Sequence, residues 1–61
     1  MSEEAEIWWK QALEDLDTAK FNFSGRKFDA AAFFAQQATE KALKALYINK
    51  GNYVVSVPNS L

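Results

Sequence analysis

The amino-acid sequence predicts an all-α fold, an antiparallel helical hairpin that is part of an up-and-down four-helix-type bundle. Two long segments repeat apolar residues at helical spacing, and only 2 Gly and 1 Pro occur in 61 residues. The linker between the segments covers only residues 24–29. Connections of this length join antiparallel neighbours. We therefore expect residues 1–61 to form one helical unit rather than two domains.

The first helix is predicted over about residues 3–23. Ser2 is a suitable N-cap, and the acids of the first turn favour the positive end of the helix dipole. Gly25 follows Ser24 and is expected to end the helix in the left-handed conformation. On a helical wheel, eight apolar residues share one face: Ala5, Trp8, Trp9, Ala12, Leu13, Leu16, Ala19 and Phe23.

The second helix is predicted over about residues 30–49, with Asp29 as its N-cap and Lys50-Gly51 as its end. Its apolar side covers about half of the circumference, whereas packing against one neighbour needs only a stripe of about 100°. We therefore expect this helix to have two or more neighbours. Five alanines line one strip and would allow another helix to approach closely: Ala31, Ala35, Ala38, Ala42 and Ala45. Residues 52–61 are predicted to form an irregular, extended tail.

The composition restricts how such a small domain can be stabilised. Cores of this size seldom supply more than about 3–5 kcal/mol, so natural examples add disulfides, a metal ion or a partner chain. The sequence contains no Cys and no His, which excludes a disulfide framework, a zinc finger, and thiol or imidazole catalysis. Hydrophobic residues make up 49% of the chain, which excludes a disordered tail. We therefore expect association with a partner chain, and neither a metal nor a cofactor.

Charge and hydropathy predict a cytoplasmic protein without a membrane segment. The net charge of −1 gives no general attraction to nucleic acid or membranes. No apolar run approaches the roughly 20 residues of a membrane span, and the acidic start is unlike a signal peptide. The charge is uneven along the chain: residues 3–23 carry six acids against two lysines, net −4, and residues 26–50 carry five basic residues against two acids, net +3. Opposite signs favour the two segments lying side by side, within one chain or between chains.

A lone hairpin would leave apolar surface bare, and large bare patches mark interaction sites. Two hairpins could pair as a symmetric four-helix bundle, or the chain could be the front part of a larger helical domain. The ending Asn59-Ser60-Leu61 lacks a helix-stop signal, which favours an incomplete domain in the parent protein. The chain as given is predicted to form a homodimer. We expect nine residues at its core or interface: Trp9, Leu13, Leu16, Phe23, Phe34, Ala38, Ala42, Ala45 and Leu46.

The sequence offers few side chains that could act in catalysis. The serines fall in caps, turns or the tail, and the acids Glu14, Asp15 and Asp17 diverge on the wheel, so they cannot share one metal ion. The best functional candidate is a polar edge of the second helix, where cationic, amide and aromatic side chains could hold a phosphate, a base edge and a ring. The alternative is a solvated stripe with i,i+4 pairs. The edge consists of Phe33, Gln37, Lys41, Lys44 and Ile48, and the adjacent Glu40 lowers its net charge.

Several runs of residues resemble the HEPN domain family, named for nucleotide binding in prokaryotes and higher eukaryotes. The most specific is Ala35-Gln36-Gln37-Ala38-Thr39-Glu40-Lys41-Ala42-Leu43-Lys44-Ala45-Leu46. Similar runs precede it, and Pro58-Asn59-Ser60-Leu61 resembles the loop before the third helix, with Asn59 where His is frequent. The other matching runs are Trp9-Lys10-Gln11-Ala12, Leu13-Glu14-Asp15-Leu16 and Ser24-Gly25-Arg26-Lys27-Phe28-Asp29.

The resemblance implies a helical bundle that usually dimerises. Roles proposed for the family are nucleotide binding, RNA cleavage by toxins of toxin–antitoxin pairs, and partnership with minimal nucleotidyltransferases. In its ribonuclease members the catalytic Arg-x4–6-His motif lies in the C-terminal half, and no residue of this chain matches it. We therefore predict no enzymatic activity for this chain. The residues that the resemblance carries over as ligand-binding candidates are Gln37, Glu40, Lys41 and Lys44.

Three hypotheses follow. The first is a non-catalytic HEPN-like module that binds a partner chain and a nucleotide or RNA. The second is the front part of a HEPN ribonuclease whose active site lies in sequence absent from this chain. The third is a purely structural dimerisation hairpin.

Overall fold

The computed structural model describes residues 1–50, which form two α-helices of 22 residues each. Helix α1 covers Glu3–Ser24 and helix α2 covers Phe28–Asn49. They pack side by side as an antiparallel hairpin, and the part of the chain described contains no strand. The predicted all-α hairpin is confirmed. Gly51 and the predicted extended tail, residues 52–61, lie outside the described residues.

The start of α1 is fixed by Ser2, as the sequence predicts. Ser2 is extended, with φ −64° and ψ 163°, and its Oγ accepts a hydrogen bond of 3.1 Å from the amide of Ala5. Three glutamates occupy the first turn, where the helix dipole favours negative charge. The amide of Ser2 also donates to Oδ1 of Asn49 at 3.1 Å, so the start of α1 is joined to the end of α2.

The turn between the helices is a Schellman motif. The amide of Arg26 donates to the carbonyl of Phe23 at 3.0 Å, and that of Lys27 donates to the carbonyl of Asn22 at 2.8 Å. The left-handed residue is Arg26, with φ 60°, whereas Gly25 has φ −84°. The expectation that Gly25 takes the left-handed conformation is therefore wrong. The motif needs that conformation one residue later, after Gly25 has served as the C-cap.

The start of α2 also differs from the prediction. The N-cap is Lys27, which makes no side-chain capping bond, and the helix begins at Phe28. Because the turn closes within three residues, the chain is already helical before Asp29, and Asp29 as the N-cap is wrong. Asp29 instead lies in the first turn, where its charge still favours the helix dipole.

The contact between the helices is a line of buried alanines, which we call the alanine seam. Every seam residue is at most 8% exposed, and within each helix the seam residues are seven apart. Side chains this small let two helix axes approach toward the short end of the usual range of about 8–10 Å. The seam consists of Ala5, Ala12 and Ala19 from α1 with Ala31, Ala38 and Ala45 from α2.

Candidate functional site

A hairpin of two helices is a single layer, so the side chains flanking the seam lie on one of two opposite faces. Ion-pair and cation–π contacts cross the seam on one face, which we call the paired face. Large apolar side chains remain exposed on the other, which we call the open face. The two faces have different chemistry and are described in turn.

On the paired face, two lysines of α2 contact α1. Nζ of Lys41 lies 2.8 Å from Oδ2 of Asp15, and these side chains are 26% and 17% exposed. That oxygen is buried and accepts no aligned hydrogen bond from the described residues, so its partner is the ammonium charge itself. Nζ of Lys44 lies 4.1 Å from the centre of the Trp8 ring, within the range of a cation–π interaction. The paired face therefore fixes α2 against α1.

The polar edge predicted as a ligand site lies on and beside this paired face. Gln37 and Ile48 are half-buried, as are Lys41 and Lys44. Glu40 accepts a hydrogen bond of 3.3 Å from Nε2 of Gln36. Phe33 is exposed and packs edge-to-face on Phe34, with ring centres 5.2 Å apart. The structure thus brings the two lysines together with residues of α1, and places Phe33 at the outer margin.

The contacts from α1 were not part of the predicted site. Trp8 was assigned to the apolar face of its helix, and Asp15 was considered only as one of three acids that cannot share a metal ion. The available signal was the opposite net charge of the two segments, which predicts acid–base contacts between the helices. It does not say which acid meets which lysine, because that depends on the rotation of each helix about its axis.

The open face carries the largest exposed apolar side chains next to the seam. On α1 they form a ridge, 39–64% exposed, which consists of Trp9, Leu13, Leu16 and Phe23. Lys20 lies on the same side of α1. On α2 the same face has its large residues toward the two ends: Phe28 and Leu46 are 56% and 47% exposed, and Leu43, which lies beside Ala32 on the helical wheel, is half-buried. Between them lies a strip of small residues at helical spacing: Ala32, Ala35, Thr39 and Ala42.

Near the turn, the open face forms a shallow apolar groove. Its end is built by Phe23 and Phe28, whose rings meet edge-to-face with centres 5.4 Å apart. The groove floor is made of alanines from both helices, since no larger side chain occupies the space between the axes. Its lining consists of Ala19, Lys20, Phe23, Phe28, Ala31, Ala32 and Ala35.

The nine residues predicted at the core or interface separate into three groups. Ala38 and Ala45 are buried in the seam, and Phe34 and Ala42 are half-buried. The other five belong to the open face and are exposed in the single hairpin: Trp9, Leu13, Leu16, Phe23 and Leu46. Exposed apolar surface of this extent marks an interaction site in a small protein.

Within residues 1–50 there is neither a cluster of metal-binding side chains nor a membrane-spanning helix. No three acidic side chains of this segment converge to hold a metal ion. Neither α1 nor α2 is both long and apolar enough to cross a bilayer.

Comparison with known proteins identifies one relationship. The family model described as the HEPN domain matches residues 5–56, which is most of the chain and includes both helices. No curated protein and no solved structure matches the sequence or the hairpin.

Proposed function

Since this chain belongs to the HEPN domain family, we propose that it is a non-catalytic helical module that acts by homodimerisation through its open face. The observation that carries the proposal is the ridge of large apolar side chains beside a buried seam of alanines only. A core made of methyl groups buries little apolar area, so the hairpin needs a second layer to cover its larger side chains. The absence of any histidine in the chain supports the non-catalytic part of the proposal, because the family's ribonuclease motif requires one.

The area of the open face is enough for a modest interface. Each helix is about 33 Å long, and two helices side by side are roughly 18 Å wide. One face therefore covers about 600 Å², and pairing two of them buries at least about 1,200 Å², the lower limit for stable protein–protein interfaces. We expect a dissociation constant in the micromolar range rather than the nanomolar range.

Sedimentation equilibrium over a micromolar concentration series tests the dimer. We expect the wild-type mass to rise to that of two chains, and the variant Leu13→Glu to stay monomeric, because it places a charge in the middle of the ridge. Ile7→Glu is the matched control: Ile7 is similarly exposed on α1 but lies away from the open face. A well-folded wild-type monomer throughout the series, or equal effects of the two variants, would contradict the proposal.

Nucleotide binding is the second part of the proposal, and it belongs to the polar edge of α2. The ammonium groups of Lys41 and Lys44 are the groups there that a phosphate would contact. Lys44 lies over Trp8, so ligand binding at that lysine should change the tryptophan fluorescence.

Titration with ATP and with a short RNA, read by tryptophan fluorescence, tests this part. We expect a saturable change that Lys44→Ala removes and that Lys50→Ala, a lysine outside the edge, retains. No change with either ligand would refute nucleotide binding and would leave the module with a purely structural role.

A further inference from the structure

The open face differs between its two helices in a way that determines how a second layer fits. The α1 half is a ridge of large side chains, and the α2 half is a strip of small ones with Phe28 at one end and Leu43 and Leu46 toward the other. A flat layer of this kind is complementary to a copy of itself only if the ridge of one copy lies on the strip of the other.

Residues in the two halves of the open face can be matched by their level, which is their position along the helix axes. Ser2 lies beside Asn49 at one end of the hairpin, and Phe23 lies beside Phe28 at the other. Two turns back from Phe23 is Leu16, and two turns on from Phe28 is Ala35. Another two turns lead to Trp9 on α1 and to Ala42 on α2. Leu16 and Trp9 of the ridge therefore each have an alanine of the strip at the same position along the helix axes, whereas Phe23 lies beside Phe28.

We propose that the partner on the open face is a second copy of this chain, related by a two-fold axis parallel to the helices. This proposal rests on the dimerisation proposed above and specifies its geometry. A rotation about that axis keeps every residue at its level and places α1 of one copy over α2 of the other. Leu16 of each copy then packs on Ala35 of its partner, and Trp9 packs on Ala42. All four neighbouring helix pairs are antiparallel, as in an up-and-down bundle.

The alternative two-fold axis, perpendicular to the helices and in the plane of the interface, places α1 on α1. Ridge would then meet ridge, and strip would meet strip with a gap between them. Electrostatics disfavour it as well, because α1 carries six acids against two lysines, so that a net charge of −4 would face the same charge. In the proposed arrangement α1 faces α2, whose two acids and two lysines cancel between Phe28 and Asn49.

Lys20 fits the same arrangement. It lies on the open face near the turn, where it lines the groove with Phe23 and Phe28. Its aliphatic stem can cover the partner's Ala32 while its ammonium reaches water at the end of the bundle.

A size swap between two chains tests the contact between Leu16 and Ala35. The variant Leu16→Ala leaves two gaps in its own homodimer, and Ala35→Leu creates two clashes in its own. In a mixed dimer both contacts again join one leucine to one alanine. We expect each variant alone to weaken dimerisation at least about tenfold, and the mixture to form a heterodimer in preference to either homodimer.

Native mass spectrometry separates the three dimers, and circular dichroism reports folding. If a single variant fails to fold alone, recovery of helix content on mixing gives the same answer. Dimers in statistical proportions would overturn the proposed axis while leaving dimerisation intact, whereas a monomeric wild type would overturn both.

Cross-linking provides an independent test, because the natural chain has no cysteine. Mixing the single variants Trp9→Cys and Ala42→Cys under oxidising conditions should give a covalent dimer of the two. Trp9→Cys alone should not, because in the proposed bundle these residues lie diagonally opposite. The control mixture combines Gln11→Cys with Gln37→Cys. Both residues lie on the paired face, so this mixture should remain uncrosslinked. Efficient cross-linking of Trp9→Cys alone would indicate that α1 lies on α1.

Discussion

Enlarging one alanine of the seam tests whether these residues set the distance between the helices. We predict that Ala38→Leu destabilises the hairpin, because Ala38 is 8% exposed and its methyl group lies between the two helix axes. The added carbon atoms can be accommodated only if the helices separate. Overpacking of this kind costs about 1–3 kcal/mol, a large share of the roughly 3–5 kcal/mol that a core of this size supplies.

Urea unfolding followed by circular dichroism measures the effect, at one fixed protein concentration because association contributes to stability. For a chain of this size the slope is about 1 kcal/mol per M, so the midpoint should fall by about 1–3 M. The matched control is Gln36→Leu, which places the same side chain on the exposed side of α2 and should change stability by less than about 0.5 kcal/mol. If the two variants behave alike, the alanines do not form the seam.

Three further predictions concern the turn and the paired face. Arg26→Gly should stabilise the chain by up to about 1 kcal/mol, because the left-handed conformation costs a non-glycine residue about 1–2 kcal/mol and glycine loses some of that gain in backbone entropy. Gly25→Ala should be neutral or slightly stabilising in the same urea assay, since its new Cβ would lie 3.7 Å from the nearest carbonyl oxygens; a loss above about 1 kcal/mol would identify Gly25 as the left-handed residue instead. For the ion pair, a double-mutant cycle with Asp15→Asn and Lys41→Met should give a coupling free energy of about 1 kcal/mol, the upper end for partly exposed pairs. Additive effects of the two changes would show that the contact contributes nothing to stability.

The sequence predicts the helices well because their signals are local. The first helix begins where a serine can cap it and ends where the chain reaches Ser24-Gly25. The exact turn was less predictable. In a Schellman motif the left-handed residue is the one after the C-cap, and the sequence does not show whether Ser24 or Gly25 is the C-cap.

The interior of the hairpin was harder to predict, because both helices have an apolar arc wider than one contact needs. A helical wheel shows only the direction of each side chain around the helix axis and its hydrophobicity, so it groups Trp9 and Leu16 with their alanine neighbours. The structure separates them, since only methyl-sized side chains fit between closely approaching axes. The expectation that α2 has two or more neighbours stays a prediction: within residues 1–50 one part of its apolar arc faces α1, and another part is exposed.

The predicted ligand edge was derived from α2 alone, and for this reason it did not include the residues of α1 that contact it. A single-helix wheel places Lys41 and Lys44 on one edge but contains no information about Asp15 and Trp8, which reach them from the other helix. To predict a contact between the helices, one must know how each helix is rotated about its axis and how far it is shifted along that axis. The seam and the turn determine both, and neither segment determines them by itself.

The seven-residue spacing of the alanines has a consequence for how such a sequence can diverge. At the six seam positions, glycine and serine are the only replacements close to alanine in size, and glycine weakens the helix. Substitutions there should be rare among descendants of this gene, while the ridge can exchange one bulky apolar type for another. The variability of each position among related sequences should therefore identify the contact between the two helices more clearly than the hydrophobicity of its residues does.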